Sequence, residues 1–283
     1  MFLLDKLLII DGHNLLFQMF FGMPARIVNK QGKAIHGILG FVGALNKIIK
    51  LTEPTHLVVI FDGERENSRT EILPEYKTNR TDYSDLPDRE NPFSQLEGIY
   101  NALNFMGIKH FEAESDEADD VIAGYAITYG KCMHVDISSF DSDFFQLIDD
   151  NVSVLRYRGD RSVICDAAYV HNRFGILPER YADFKALTGD PGDNIKGAEK
   201  VGLKTAAALV NQFGCLRNIL DNAYEISKPS IRESVIRNAG QLEKNYSLIR
   251  LKNDSLSGYD IESLVYDGGV FKTNDVLRGI GVY

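Results

Sequence analysis

Acidic residues carry the chemistry of this chain, and the densest group is Glu117-Ala118-Asp119-Asp120. Three carboxylates fall within four residues, after Ser115-Asp116 and before the apolar run Val121-Ile122-Ala123. Ser or Asp ahead of such a run signals a helix start, so the acids belong to a first helical turn. Glu117 and Asp120 then share one helix face. One or two acids there would simply complement the helix dipole. Three packed acids are costlier, because each like-charged pair about 5 Å apart costs roughly 3 kcal/mol at an effective dielectric near 20. Such a cluster calls for a cation.

The elements that position further acids are short apolar runs. Leu7-Leu8-Ile9-Ile10 ends in Asp11-Gly12, and Leu57-Val58-Val59-Ile60-Phe61 ends in Asp62-Gly63. Both read as buried parallel strands. Met133 to Ile137 runs into Asp141-Ser142-Asp143, while Ile108–Phe111, Val152–Leu155 and Val163-Ile164 supply further strands. Helical periodicity covers Gly37 to Leu51, Phe93 to Met106, the segment opening at Glu117 and the apolar run from Phe144. Alternating strands and helices predict an α/β fold: a mostly parallel, doubly wound central sheet with helices on both faces. Ligands bind such sheets outside the carboxyl ends of the strands. Asp11, Asp62, Asp141 and Asp143 all fall there. One strand-end Asp is commonly a turn or cap residue, but four together point to a site.

From Tyr181 the chain becomes helix and turn. Gly189-Asp190-Pro191-Gly192-Asp193-Asn194 brings two more acids, and Gly197 to Ala206 leads into a helix. The expected division is a core over residues 1–180, including an irregular charged segment at 64–91, and a helical region over 181–283. A connection as long as 64–91 is normally functional or disordered.

Composition narrows the class. The 283 residues are 44% apolar and 25% charged, with a net charge of −9. This suits a folded globular protein. No apolar run spans a bilayer, and Met1 to Lys6 lacks a signal-peptide pattern, so a cytoplasmic setting is expected. Cys132, Cys165 and Cys215 form neither a zinc pattern nor a disulfide framework. The negative charge does not exclude a nucleic-acid partner, since site carboxylates inflate it and bound cations would cancel part of it.

Taken in order, Ile10-Asp11-Gly12, Phe61-Asp62, Pro74-Glu75-Tyr76-Lys77-Thr78-Asn79-Arg80, Glu117-Ala118-Asp119-Asp120, Asp141-Ser142-Asp143 and Gly189 to Asn194 resemble the bacterial and phage 5′-nucleases. These are the flap endonucleases and the 5′–3′ exonuclease domain of DNA polymerase I. The match covers roughly residues 7 to 225, and no polymerase region follows, which suggests a stand-alone form. The resemblance implies that Asp11, Asp62, Glu117, Asp119, Asp120, Asp141, Asp143, Asp190 and Asp193 bind two or more Mg²⁺ ions, with Mn²⁺ able to substitute. Oxygen-only ligands suit such ions. It divides them into a first site (Asp11, Asp62, Glu117, Asp119, Asp120) and a second (Asp141, Asp143, Asp190, Asp193). The implied activity is two-metal hydrolysis of DNA phosphodiesters, leaving a 5′-phosphate and a 3′-hydroxyl. Residues 64–91 correspond to a helical arch around a 5′ flap. Lys77 and Arg80 are its catalytic cations, Arg69 a DNA contact and Tyr76 a base-stacking residue. That segment holds five basic and eight acidic residues, so it is no cationic funnel.

A helix–hairpin–helix element is implied near 185–215, where Gly197, Lys200, Val201, Gly202, Lys204 and Thr205 would meet a duplex phosphate. K⁺ at its carbonyls is a further implication. The partners implied are DNA flaps, nicks and single-stranded 5′ ends, met by a monomer away from membranes. Three positions depart from the pattern: Gln18 stands at a usually basic position, Phe140 replaces a Gly, and Lys200 replaces a hairpin Gly. Competing readings are a metal-dependent RNase of a related fold, a non-catalytic DNA-binding paralogue and a metal-binding phosphatase.

Overall fold

The computed structural model describes residues 5–63, 68–114, 117–252, 256–269 and 271–282. The Ser115-Asp116 helix start, residues 64–67 of the charged segment, and Met1 to Leu4 lie outside the described residues.

Six strands form the central sheet: β1 (Lys6–Asp11), β2 (His56–Asp62), β3 (Lys109–Ala113), β4 (His134–Ser138), β5 (Val152–Arg156) and β6 (Val163–Cys165). Their order is β3-β2-β1-β4-β5-β6. All pairings are parallel except β5 with β6, which is an antiparallel hairpin. The sequence carried no clear signal for this hairpin. Its turn is carried by Gly159 at φ 60°, a left-handed conformation that glycine adopts without a Cβ penalty.

The helices of the first half are α1 (Gly12–Gly22), α2 (His36–Thr52), α3 (Ser68–Ile72), α4 (Leu96–Phe105), α5 (Ala118–Tyr129) and α6 (Ala167–Phe174). Alternation along each strand splits the core. Leu7, Ile9, Val58 and Ile60 pack with α5, whereas Leu8, Ile10, Val59 and Phe61 pack with α1, α2 and α4. Helices therefore cover both faces. Each of these fully buried side chains contributes about 1.5–3 kcal/mol. The helix α1 was not expected. It starts directly after β1, and its apolar residues lack a sharp amphipathic stripe. Asp11 caps it by accepting from Asn14 N at 3.0 Å. Gly12 is required because a Cβ there would enter the Phe61 ring. The segment after Asp143 closes as a single 3₁₀ turn (Asp143–Leu147) rather than an α-helix.

The second half contains α7 (Tyr181–Thr188), α8 (Leu203–Phe213), α9 (Leu216–Asp221), α10 (Pro229–Arg237), α11 (Ala239–Ile249) and α12 (Thr273–Gly279). Phe184, Leu187, Val210, Ile219, Val235 and Leu242 join the α5 face of the core. Between α7 and α8, Gly189–Asp190 pairs antiparallel with Ile195–Lys196. No helix is long and apolar enough to cross a membrane among the described residues.

Candidate metal centre and nucleic-acid site

The strand ends bring the acids together. Asp11 ends β1 and is 7% exposed. It accepts from Ser139 Oγ at 2.7 Å and from Asn14 N. Burial, reinforced by the charges of Asp62 and Asp141, raises its pKa to about 7 against the two hydrogen bonds. Asp119 lies in the first turn of α5. Burial and then Asp141, Asp11 and Asp62 push its pKa well above the carboxylate range. Four carboxylates thus press on one another. Among the described residues, Asp119 accepts no hydrogen bond. Asp62 is the group held low: burial opposes its charge, but half its side chain meets solvent, and His13, the Ala118 N–H at 2.9 Å and Lys77 favour the anion.

Protein cations already occupy other acids. Glu117 caps the start of α5, and its two oxygens meet Arg69 Nη1 and, at 2.6 Å, Lys77 Nζ. Asp120 is 1% exposed and accepts from Arg69 Nη2 at 2.9 Å and Lys252 N at 2.8 Å. The charges of Asp11, Asp62 and Asp141 bear on Asp119, with Lys77 partly offsetting them at Asp62 and Asp119, while Glu117 and Asp120 face Arg69 and Asp141 also acts on Asp143.

Carboxylate oxygens of Asp143, Asp190 and Asp193 lie within 4.8 Å of one another. Lys185 of α7 enters this second group, with Nζ on Asp143 and 2.6 Å from Asp190. Burial raises the Asp143 pKa to about 7 despite Lys185. Burial alone would discharge Lys185, but Asp143, Asp141 and Asp190 keep it protonated. Sequence reasoning missed Lys185. A lysine between Phe184 and Ala186-Leu187, five residues before Asp190, was the available signal; it is 7% exposed. Hard oxygen donors of this kind fit divalent cations, and among the described residues it is Asp143, Asp190 and Asp193 whose oxygens come close enough together to share one ion.

The charged segment docks onto this second group. Lys77 N donates to Asp193 O at 3.2 Å, Asn79 Nδ2 to Pro191 O at 2.9 Å, and Asn194 Nδ2 to Glu75 O at 2.9 Å. Arg80 Nη2 lies 2.7 Å from Asp193. Lys77 itself adopts φ 58°, a strained value of the kind found at functional sites. Two expectations for this segment change. Arg69 is 3% exposed and spent on Glu117 and Asp120, so it neutralises the acid cluster instead of contacting DNA. The Tyr76 ring is 6% exposed among Ala182, Ile195, Leu248 and Ile249, so it anchors the segment to the helical half and is not presented to a base. Among the described residues of the segment, helix is confined to α3, with turns following through Asn79.

In the hairpin between α7 and α8, backbone meets backbone. A Cβ at Gly189 or Gly197 would overlap the opposing chain. Lys200 holds φ 65°, keeping the left-handed turn that a glycine would make. Gly202, Lys200 and Lys204 are exposed, and Gly202 caps α8 without a side chain. Thr205 is half-buried, and its N–H donates to Gly202 O. Val201 corrects the expected contact list: its side chain is 5% exposed and its N–H donates to Ala198 O at 3.1 Å, so neither reaches a phosphate.

A parallel sheet with acids along one rim, a docked charged segment and a helical hairpin define a metal-dependent nuclease-type fold. Two family models match consecutive stretches: the 5′-3′ exonuclease N-terminal resolvase-like domain over residues 6–175, and the 5′-3′ exonuclease C-terminal SAM fold over residues 176–269. The chain belongs to the 5′-3′ exonuclease family. It is 34% identical to a 5′-3′ exonuclease of Aquifex aeolicus, over 89% of this chain and 83% of that protein. It is 30% identical to the thermostable DNA polymerase I of Thermus thermophilus, over 88% of this chain but 29% of that protein. The chain thus spans about three tenths of the length of the polymerases it matches. A phage T5 flap endonuclease, crystallised as a pseudo-enzyme–product complex with DNA and metal ions, shares the fold at a TM-score of 0.74. That match covers 98% of this chain and 100% of the phage protein at 23% identity.

Proposed function

We propose that this chain is a structure-specific 5′-nuclease, a Mg²⁺-dependent flap endonuclease and 5′–3′ exonuclease. It would hydrolyse DNA phosphodiesters at flaps, nicks and single-stranded 5′ ends in the cytoplasm, leaving a 5′-phosphate and a 3′-hydroxyl. The observation that carries this reading is the Asp143, Asp190 and Asp193 group, whose carboxylate oxygens lie within 4.8 Å of one another at the rim that also holds Asp11, Asp62, Asp119 and Asp141. Asp11, Asp62, Asp119 and Asp141 would hold one ion and Asp143, Asp190 and Asp193 another, with Mn²⁺ as a substitute. Bound divalent ions supply a water of lowered pKa and neutralise charge on the phosphodiester.

The remaining work falls to the chain. Lys77 and Arg80 sit beside the acids on a segment fastened to both halves of the molecule, where a cation offsets charge developing on a phosphate. Glu117 orients Lys77 through the 2.6 Å ion pair. The α8 N-terminus and exposed Lys200 and Lys204 suit a duplex phosphate, and K⁺ at the hairpin carbonyls suits the turn that Lys200 preserves.

The test uses labelled 5′-flap DNA, a matched RNA and a blunt duplex, each with Mg²⁺ or EDTA. Mg²⁺-dependent cleavage of the flap supports the reading. Cleavage of RNA alone, or binding without cutting, refutes it.

A further inference from the structure

Two of the unusual positions, Gln18 and Phe140, converge on the hairpin between β5 and β6. Gln18 Nε2 donates to Tyr157 O at 2.6 Å. The Phe140 ring receives the guanidinium of Arg158 at 4.8 Å, with Arg156 at 5.9 Å. Arg156 Nη2 also donates to Phe140 O at 2.9 Å. The turn itself is fixed, since Arg158 N donates to Ser162 Oγ at 2.8 Å and Ser162 Oγ to Gly159 O at 2.6 Å. Phe140 is tied to the first acid group from its other side: its N–H donates to Asn14 Oδ1 at 3.0 Å, and Asn14 N donates to Asp11.

Arg158 is exposed, on the ring of the residue that precedes Asp141. Among the described residues, the arginines in ion pairs are Arg69, Arg80, Arg89, Arg180, Arg217 and Arg237; neither Arg158 nor Arg161 is one of them. An arginine stacked on an aromatic face keeps its edge N–H groups available and loses little entropy when they bind two oxygens of a phosphate. In a chain of net charge −9, a preorganised, carboxylate-free guanidinium beside the acidic rim is suited to a phosphate.

We infer that Arg158 is a DNA phosphate contact beside the cut, positioned by Phe140 and Gln18. It takes over the electrostatic work that a basic residue at position 18 would do. The inference rests on the nuclease reading and deepens it.

The test is the salt dependence of flap-DNA binding, measured by fluorescence anisotropy with Ca²⁺ in place of Mg²⁺ and with gels verifying uncut DNA. One lost phosphate contact reduces the slope of log K against log salt by about 0.9, so between 50 and 200 mM NaCl the wild type should lose about 3.5-fold more affinity than Arg158→Gln. Arg158→Lys should keep the wild-type slope. Phe140→Ala should move it toward that of Arg158→Gln, and Gln18→Arg combined with Arg158→Gln should restore it. Arg217→Gln, on α9, should leave it unchanged. An unchanged slope for Arg158→Gln, or an equal change for Arg217→Gln, overturns the assignment. A wild type that neither binds nor cuts the flap overturns the nuclease reading itself, which is a different result.

Discussion

Removing the Asp119 charge should stabilise the metal-free protein while abolishing cleavage. In Asp119→Asn the side-chain volume is kept and only the charge goes. At about 5 Å and an effective dielectric near 20, one like-charged pair costs roughly 3 kcal/mol. Asp119 is half-buried, and Asp11 with its pKa of about 7 is partly protonated near neutrality, so solvent and protons relieve part of this. A net relief of about 1–2 kcal/mol remains after such screening. Loss of an acid from the first turn of α5 takes back about 0.5 kcal/mol. The balance, about 1 kcal/mol, corresponds to roughly 2–4 °C in Tm for a protein of this size. Thermal melts in EDTA at pH 8 should show the gain, and melts with Mg²⁺ should show the variant stabilised less than wild type. The gain should fade toward pH 5. Carboxyls with pKa raised from 3.8 toward 7 hold protons in the folded state that the unfolded chain releases, so their stabilising contribution is full below 3.8 and is lost as pH rises through 7. A variant less stable than wild type in EDTA at pH 8, or one that still cuts flap DNA, refutes the reasoning.

Lys185→Met leaves the half-buried Asp143 and Asp190 without their cation, which should cost about 2–3 kcal/mol in EDTA by denaturant titration; Mg²⁺ should recover part of the loss. Tyr76→Ala empties a packed aromatic site and should cost about 3–5 kcal/mol, whereas Tyr76→Phe should melt and cut like wild type. Lys200→Gly relieves a left-handed backbone on an exposed turn, and should raise stability by about 0.5–1 kcal/mol, read as a higher Tm.

The elements that place the site were legible wherever periodicity was strong. The apolar runs ending at Asp11 and Asp62 are strands because they are buried on both faces, and a strand buried that way carries its message in four or five consecutive residues. Helix α1 was not legible, because its start depends on Asp11 serving two roles, as helix cap and as part of the acidic rim. The β5–β6 hairpin was missed because Gly159-Asp160 is a weak turn signal flanked by arginines rather than by alternating apolar residues. The acid list could be read as a list, since the acids stand at strand ends and helix starts, where local pattern fixes position.

The partners of those acids could not be read in the same way. Arg69 meets Asp120 across 51 positions, Lys77 meets Glu117 across 40, and Arg80 meets Asp193 across 113. No periodicity encodes such pairings; they follow from the charged segment docking on the α7–α8 connection. Sorting the acids by function therefore depends on tertiary structure. Those facing Arg69 are neutralised and fix the segment, while the charges of Asp62 and Asp141 bear on the buried carboxyls of Asp11 and Asp119. The same sorting explains why a net charge of −9 is compatible with a nucleic-acid substrate.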